Sequence, residues 1–287
     1  MLANISIVCF AASYGVALLL EVSRLFFRLP VRLVVMLGVA IAGLLAHTIF
    51  LWNQAQAGIA DGVPFSSWHL WFTMAAWLVA VVYLILAAMR PQTSMGIFIL
   101  PVVLGLIAAA QYADRASFPR DEAITVWGSV HGVALLLGTV TMALGFVAGL
   151  MYLVQSYRLK HKLPPRPGFR LPSLEWLQAV NKQTLYFSAL LVAAGVFAGI
   201  VLNMLRQGVP WNDGVVVTSG GLLAWLFAAT LFEMLYKPAQ QGRKVAYLTV
   251  ASFAFLAAVL WMVLFSGSQH ASAGAQAAND RQQEARP

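Results

Sequence analysis

Charge is scarce in this chain. Asp, Glu, Lys and Arg make up 10% of its 287 residues, where a soluble domain carries roughly a quarter. So few ionic groups cannot cover a water-facing globular surface, which excludes an ordinary soluble protein. Cysteine is nearly absent as well. Cys9 is the only one and lies inside an apolar run. That excludes a disulfide, a C-x-x-C redox pair and a C-x-x-C-H attachment motif, and leaves Cys9 as a packing residue. The sequence offers no carboxylate pair, no activated serine and no glycine-rich phosphate loop, so hydrolytic and phosphoryl-transfer chemistry have no visible machinery. Ionisable residues are missing from the middle of every apolar run: Glu21 and Glu233 lie near one set of run ends and Arg206 near the other. Ion-coupled transporters and proton pumps depend on such groups within the bilayer. No internal repeat is visible either, which further disfavours a transporter.

What is present is apolar. Hydrophobic residues make up 61% of the chain, and they fall into eight runs at about 4–22, 32–52, 69–89, 96–113, 126–156, 183–205, 217–236 and 245–266. Each approaches or exceeds the roughly 20 residues a helix needs to cross ~30 Å of hydrocarbon. None shows the short alternating pattern of a membrane barrel. The expected fold is therefore all-α: a polytopic membrane protein of eight transmembrane helices. Residues 1–270 form a single membrane domain, and 271–287 form a small polar tail expected to be disordered. The N-terminus has neither the basic region nor the small-residue cleavage site of a signal peptide, so the first run reads as a retained span. With the N-terminus outside, 13 of the 18 basic residues fall in inner loops and 5 in outer segments. This positive-inside asymmetry places both termini on the extracytoplasmic side. The net charge of +8 is accounted for by topology, and nothing points to nucleic acid.

Three connections are more than turns. The outer segment 53–68 is polar. The inner loop "RLKHKLPPRPGFRLPSLEWLQAVNK" holds four prolines, which break helices, followed by Ser173 as an N-cap. Leu174, Leu177 and Val180 would share one face of a short amphipathic helix lying in the interface. The outer loop "RQGVPWNDGVV" separates the sixth and seventh runs. The fifth run is longer than the bilayer requires. With Tyr157 at the inner interface, His131 stands one to two turns above the hydrocarbon.

That position gives His131 company. His47, His69 and His270 also map to outer helix ends, and only His161 falls inside. Trp52, Trp68, Trp71, Trp127 and Trp211 lie at the same level. Imidazole is an axial ligand for haem iron, and two histidines on separate helix ends could clamp one haem in an aromatic-lined pocket. The plainer reading stands beside it. Tryptophans belong to any interfacial belt, and an interfacial imidazole can be satisfied by water or nearby loops.

The stretches "VHGVALLLGTVTMALGFVAGLMYLVQSYRLK" and "LPSLEWLQAVNKQTLYFSALLVAAGVFAGIV" resemble the cytochrome c assembly family of the CcsA/HemX type. The likeness extends more weakly upstream through "LLAHTIF" and "MRPQTSMGIFILPVVLGL", and downstream to His270. It implies a multi-pass protein of a bacterial-type cytoplasmic membrane that binds or presents non-covalent b-type haem at the extracytoplasmic face. Its partners would be other proteins of cytochrome c maturation or haem synthesis. By position, the resemblance makes His131 and His270 the iron ligands and Trp211 and Asp213 the remnants of a tryptophan-rich haem loop. His47 matches a second-span histidine of the HemX-like branch and, by that match, joins these four as a cofactor-binding residue. Two departures stand out. The haem loop is reduced to "PWND", and Glu233 stands at or near a position where the synthase branch has a histidine. A carboxylate is a poor substitute for imidazole on haem iron. The large soluble partner domain of the synthase system is absent too, so the chain is expected not to be a complete synthase or otherwise an enzyme. The alternative implied by the resemblance is a non-catalytic regulator or scaffold, working through partners at the basic segment 158–182.

Overall fold

The computed structural model describes residues 6–26, 31–60, 67–115, 125–164, 168–206, 211–235 and 242–265. Among them are eight α-helices and no strand: α1 (Ile7–Ser23), α2 (Arg32–Ala60), α3 (Trp68–Met89), α4 (Gly96–Tyr112), α5 (Val126–Lys160), α6 (Leu174–Arg206), α7 (Gly214–Leu235) and α8 (Gly242–Phe265). The chain is an all-α polytopic membrane protein. Six helices, α2, α3 and α5 to α8, are long and apolar enough to cross a bilayer. The other two, α1 and α4, are equally apolar but have 17 residues each, which at 1.5 Å per residue gives about 25 Å. His270 and the tail 271–287 lie outside the described residues.

Helix starts follow the local chemistry. Short polar residues immediately before apolar runs accept the first free amides: Ser67 from Leu70, Thr125 from Gly128 and Ser173 from Trp176. Such caps satisfy donors that a helix cannot satisfy itself. Two boundaries differ from the sequence expectation. The polar segment after residue 52 does not leave the helix at once: α2 runs on to Ala60, because Gln and Ala are good helix formers. The segment after Ser173 is no separate interfacial helix. It is the first turns of a continuous 33-residue α6, since no proline or glycine interrupts residues 174–194. Its apolar face turns to protein, with Leu177 fully buried and Leu174 and Val180 packed on the core.

Two cores hold the bundle. The larger one joins α1 to α4 and takes in Val147, Ala148, Met151 and Tyr152 of α5. The smaller, around Leu185, Leu226 and Leu256, joins α5 to α8. The most extensive helix contact is between α5 and α6, and small residues make it possible. A β-carbon at Gly138 would stand 3.0 Å from Val192, and one at Gly145 would stand 2.7 Å from Thr184 Oγ1. Close backbone approach of this kind supplies the dispersion contacts that hold membrane helices together when lipid is as apolar as the side chains.

At the end of the bundle rich in Arg and Lys, residues 168–177 stitch the two groups of helices together. Ser94, just before α4, donates its amide to the Arg170 carbonyl at 2.8 Å and its hydroxyl to the Gly168 carbonyl at 2.7 Å. Arg24 donates to the carbonyls of Thr93 and Pro91, and the Arg90 guanidinium covers the Trp176 ring at 4.5 Å. Gly168 adopts φ +86° directly against the Arg24 main chain, a conformation and a proximity that suit only glycine.

Candidate functional site

At the opposite end of the bundle, the Thr125 cap starts α5 at Val126 and puts His131 on its second turn. The ring points at α6, where Nδ1–H donates to the Gly195 carbonyl at 2.7 Å. A carbonyl can only accept, so Nδ1 carries a proton. Gly199, one turn further along α6, underlies the same ring: a β-carbon there would lie 2.7 Å from His131 Nδ1. Trp127, one turn before His131, meets Phe197 edge-on at 6.2 Å between ring centroids.

The other histidines of this end occupy different seams. His69, buried on the first turn of α3, donates Nδ1–H to the Ala110 carbonyl of α4 at 2.6 Å. Two residues on, Trp71 faces the other way and lies against Gly132 of α5. His47 is fully buried in α2. Its Nε2–H donates to the Thr73 carbonyl at 3.1 Å, its Nδ1 accepts from the Tyr14 hydroxyl at 3.4 Å, and its ring stacks on Phe10 at 4.0 Å. Both nitrogens of His47 are therefore engaged inside the core. His47, His69 and His131 are thus not brought together. Among the described residues no three His, Cys, Asp or Glu side chains converge as a metal would require.

The loop remnant divides into two kinds of residue. Trp211 is 57% exposed, whereas Asp213 is buried. The Asp213 carboxylate accepts the Val215 amide at 2.9 Å and its carbonyl accepts that of Val217, so Asp213 caps α7. Gly214 lies against the Met262 side chain of α8. The last turn of α8 therefore passes beside the turn that carries Asp213.

Sequence reasoning overlooked two features. The glycines at 195 and 199 were legible as a small-x-x-x-small pattern; their use by a histidine was not. The second lies at the basic end. Glu233, fully buried in α7, is 3.1 Å from Lys182 Nζ of α6 and also accepts a hydrogen bond from Tyr186. The charge that a histidine would not carry at that position is met by a lysine and a phenol one turn apart on the neighbouring helix. Glu21 is likewise buried, 4.0 Å from Arg24.

No curated protein and no solved structure matches the chain. Residues 39–270 match the family described as cytochrome C assembly protein, a span that begins within α2, covers all later helices and reaches His270. A match over most of the sequence, on a bundle whose helices carry the motifs that first suggested it, places the chain in that family: it belongs to the cytochrome c assembly proteins.

Proposed function

We propose that this protein handles haem at the extracytoplasmic face of a bacterial-type cytoplasmic membrane, binding or presenting it for cytochrome c biogenesis. In this reading all eight helices span the membrane, both termini are outside, and the His131 end faces out. His131 and His270 would hold the haem iron, and Trp211 and Asp213 would border the pocket. The observation that carries the reading is the His131–Gly195 hydrogen bond. Ligating histidines typically donate their second ring N–H to a carbonyl or carboxylate, which fixes the tautomer and leaves the other nitrogen to the metal. When bound, haem would supply an iron centre that imidazole nitrogen can ligate. The chain would supply the rest: a helix end that carries His131, with the aromatic side chains of Trp127 and Trp211. Asp213 contributes by fixing the start of α7 and hence the turn in which Trp211 stands. His47 serves beneath the site as a core residue that joins α1, α2 and α3. The chain performs no covalent chemistry in this reading.

An absorption spectrum of protein purified from haem-replete membranes, with pyridine haemochrome quantification, tests this. Near-stoichiometric haem, with the Soret band lost in His131→Ala and in His270→Ala, is the expected result. A colourless wild-type protein, or full absorbance in both variants, would sink the ligand assignment.

One observation favours a second reading, a non-catalytic regulator or scaffold. The basic end is tied together by side chains and main chain: Gly168 and Arg170 bond to Ser94, and Glu233 is closed off by Lys182 and Tyr186. Exposed Lys160 and Lys162 beside it would face an acidic partner. Loss of a co-purifying haem-synthesis or maturation protein on reversing these two charges would support a scaffold, and unchanged association would count against it.

A further inference from the structure

The seam between α5 and α6 is an antiparallel zip in which glycines on one helix meet side chains on the other. Gly145 meets Thr184, Gly138 meets Val192, Gly195 meets Leu135 and Gly199 meets His131. The first three contacts bring apolar or hydroxyl groups together and are plain helix packing. The last one receives an imidazole, and only there does the facing helix also offer a hydrogen bond, from His131 Nδ1 to the carbonyl one turn back at 2.7 Å. A methyl group at 199 would stand 2.7 Å from Nδ1 and 2.8 Å from Cε1, inside van der Waals contact, so an alanine cannot coexist with the ring where it lies.

We propose that Gly199 and the Gly195 carbonyl form a positioning cradle for His131, holding its imidazole as the Nδ1–H tautomer so that Nε2 is the atom presented to haem iron. The proposal rests on the haem-ligand reading of His131 but makes its own claim about α6. Gly195 and Gly199 touch no iron; they act through the ring. Changing one partner in such an outer layer typically weakens metal affinity about 10–100-fold. Gly138 supplies the control, because it belongs to the same seam and contacts Val192 rather than a histidine.

The test pairs two measurements on the full-length protein in detergent. In the first, 15N NMR of the haem-free protein reports the His131 tautomer, with the resonance assigned by its loss in His131→Ala. The second is a haem titration, followed by absorbance, of wild type, Gly199→Ala and Gly138→Ala. The wild-type ring is expected as Nδ1–H. Gly199→Ala should bind haem at least about tenfold more weakly, with a shift from a six-coordinate low-spin toward a high-spin spectrum, while Gly138→Ala keeps the wild-type spectrum. An Nε2–H ring in the wild type overturns the cradle, as does a Gly199→Ala protein with unchanged tautomer and spectrum. The wild-type tautomer decides the matter if Gly199→Ala fails to fold. A wild type that takes up no haem removes the haem reading, and the NMR result then judges the cradle separately.

Discussion

Glu233 has a side chain 1% exposed, whereas that of its partner Lys182 is 44% exposed, and this imbalance makes the two residues unequal under mutation. Removing Lys182 leaves a buried carboxylate with only the Tyr186 hydroxyl. Removing Glu233 leaves an ammonium that can hydrate. Breaking a buried pair costs roughly 3–5 kcal/mol when the survivor is trapped and about 1 kcal/mol or less when it can reach water. Lys182→Ala is therefore expected to lower the thermal midpoint of the purified protein clearly more than Glu233→Ala. Equal losses would mean that the pair is not what fixes α6 to α7. His47 gives a second prediction at this scale. His47→Ala removes two hydrogen bonds and a ring stack from a closed core and should cost about 2–4 kcal/mol. The Soret maximum of bound haem should stay in place; a displaced maximum would make His47 part of the haem site.

Among the elements, α6 does the most work. Its first turns are tied to the α1–α4 core through Leu177 and Trp176, its middle holds Glu233, and its far half holds His131. One uninterrupted helix therefore connects the basic end to the histidine end. The stitched segment before it depends on Gly168, where a side chain would need φ +86° and would meet the Arg24 main chain. Gly168→Ala should destabilise by about 1–2 kcal/mol or more. It should also speed tryptic cleavage at Arg170 in inside-out membranes, because Arg170 is held to Ser94 through its main chain. Ser94→Ala, which loses the hydroxyl bonds but keeps the amide bond, should act in the same direction more weakly. Cleavage at Arg170 unchanged in both variants would show that the segment is not held by these contacts.

For the molecule as a whole, the distribution of basic residues predicts that α1 and α4 also span, in spite of their 17 residues, and that the C-terminus lies outside. Alkaline phosphatase fused after residue 287 should be active and a green fluorescent protein fusion at the same point dark. The reverse pattern would put His131 and His270 together on the cytoplasmic face, since the four spanning helices α5 to α8 lie between them, and would sink the extracytoplasmic haem reading.

Composition and run length by themselves determined the class of fold, the approximate place of every helix and the clustering of histidines toward one end, because these follow from transfer free energies and helix rise, which act locally along the chain. The motifs around residues 126–206 were sufficient for the family. Partnership was beyond reach. That His47 is enclosed by Phe10, Tyr14 and Thr73, that Asp213 caps α7 and that Lys182 and Tyr186 meet Glu233 across 47–51 positions of sequence were decided by which helix faces met. So was the matching of His131 to Gly199 across the α5–α6 seam. Each of these depends on helix rotation and on how closely two backbones can approach, quantities set by packing between distant segments, which the order of residues along any one of them does not contain.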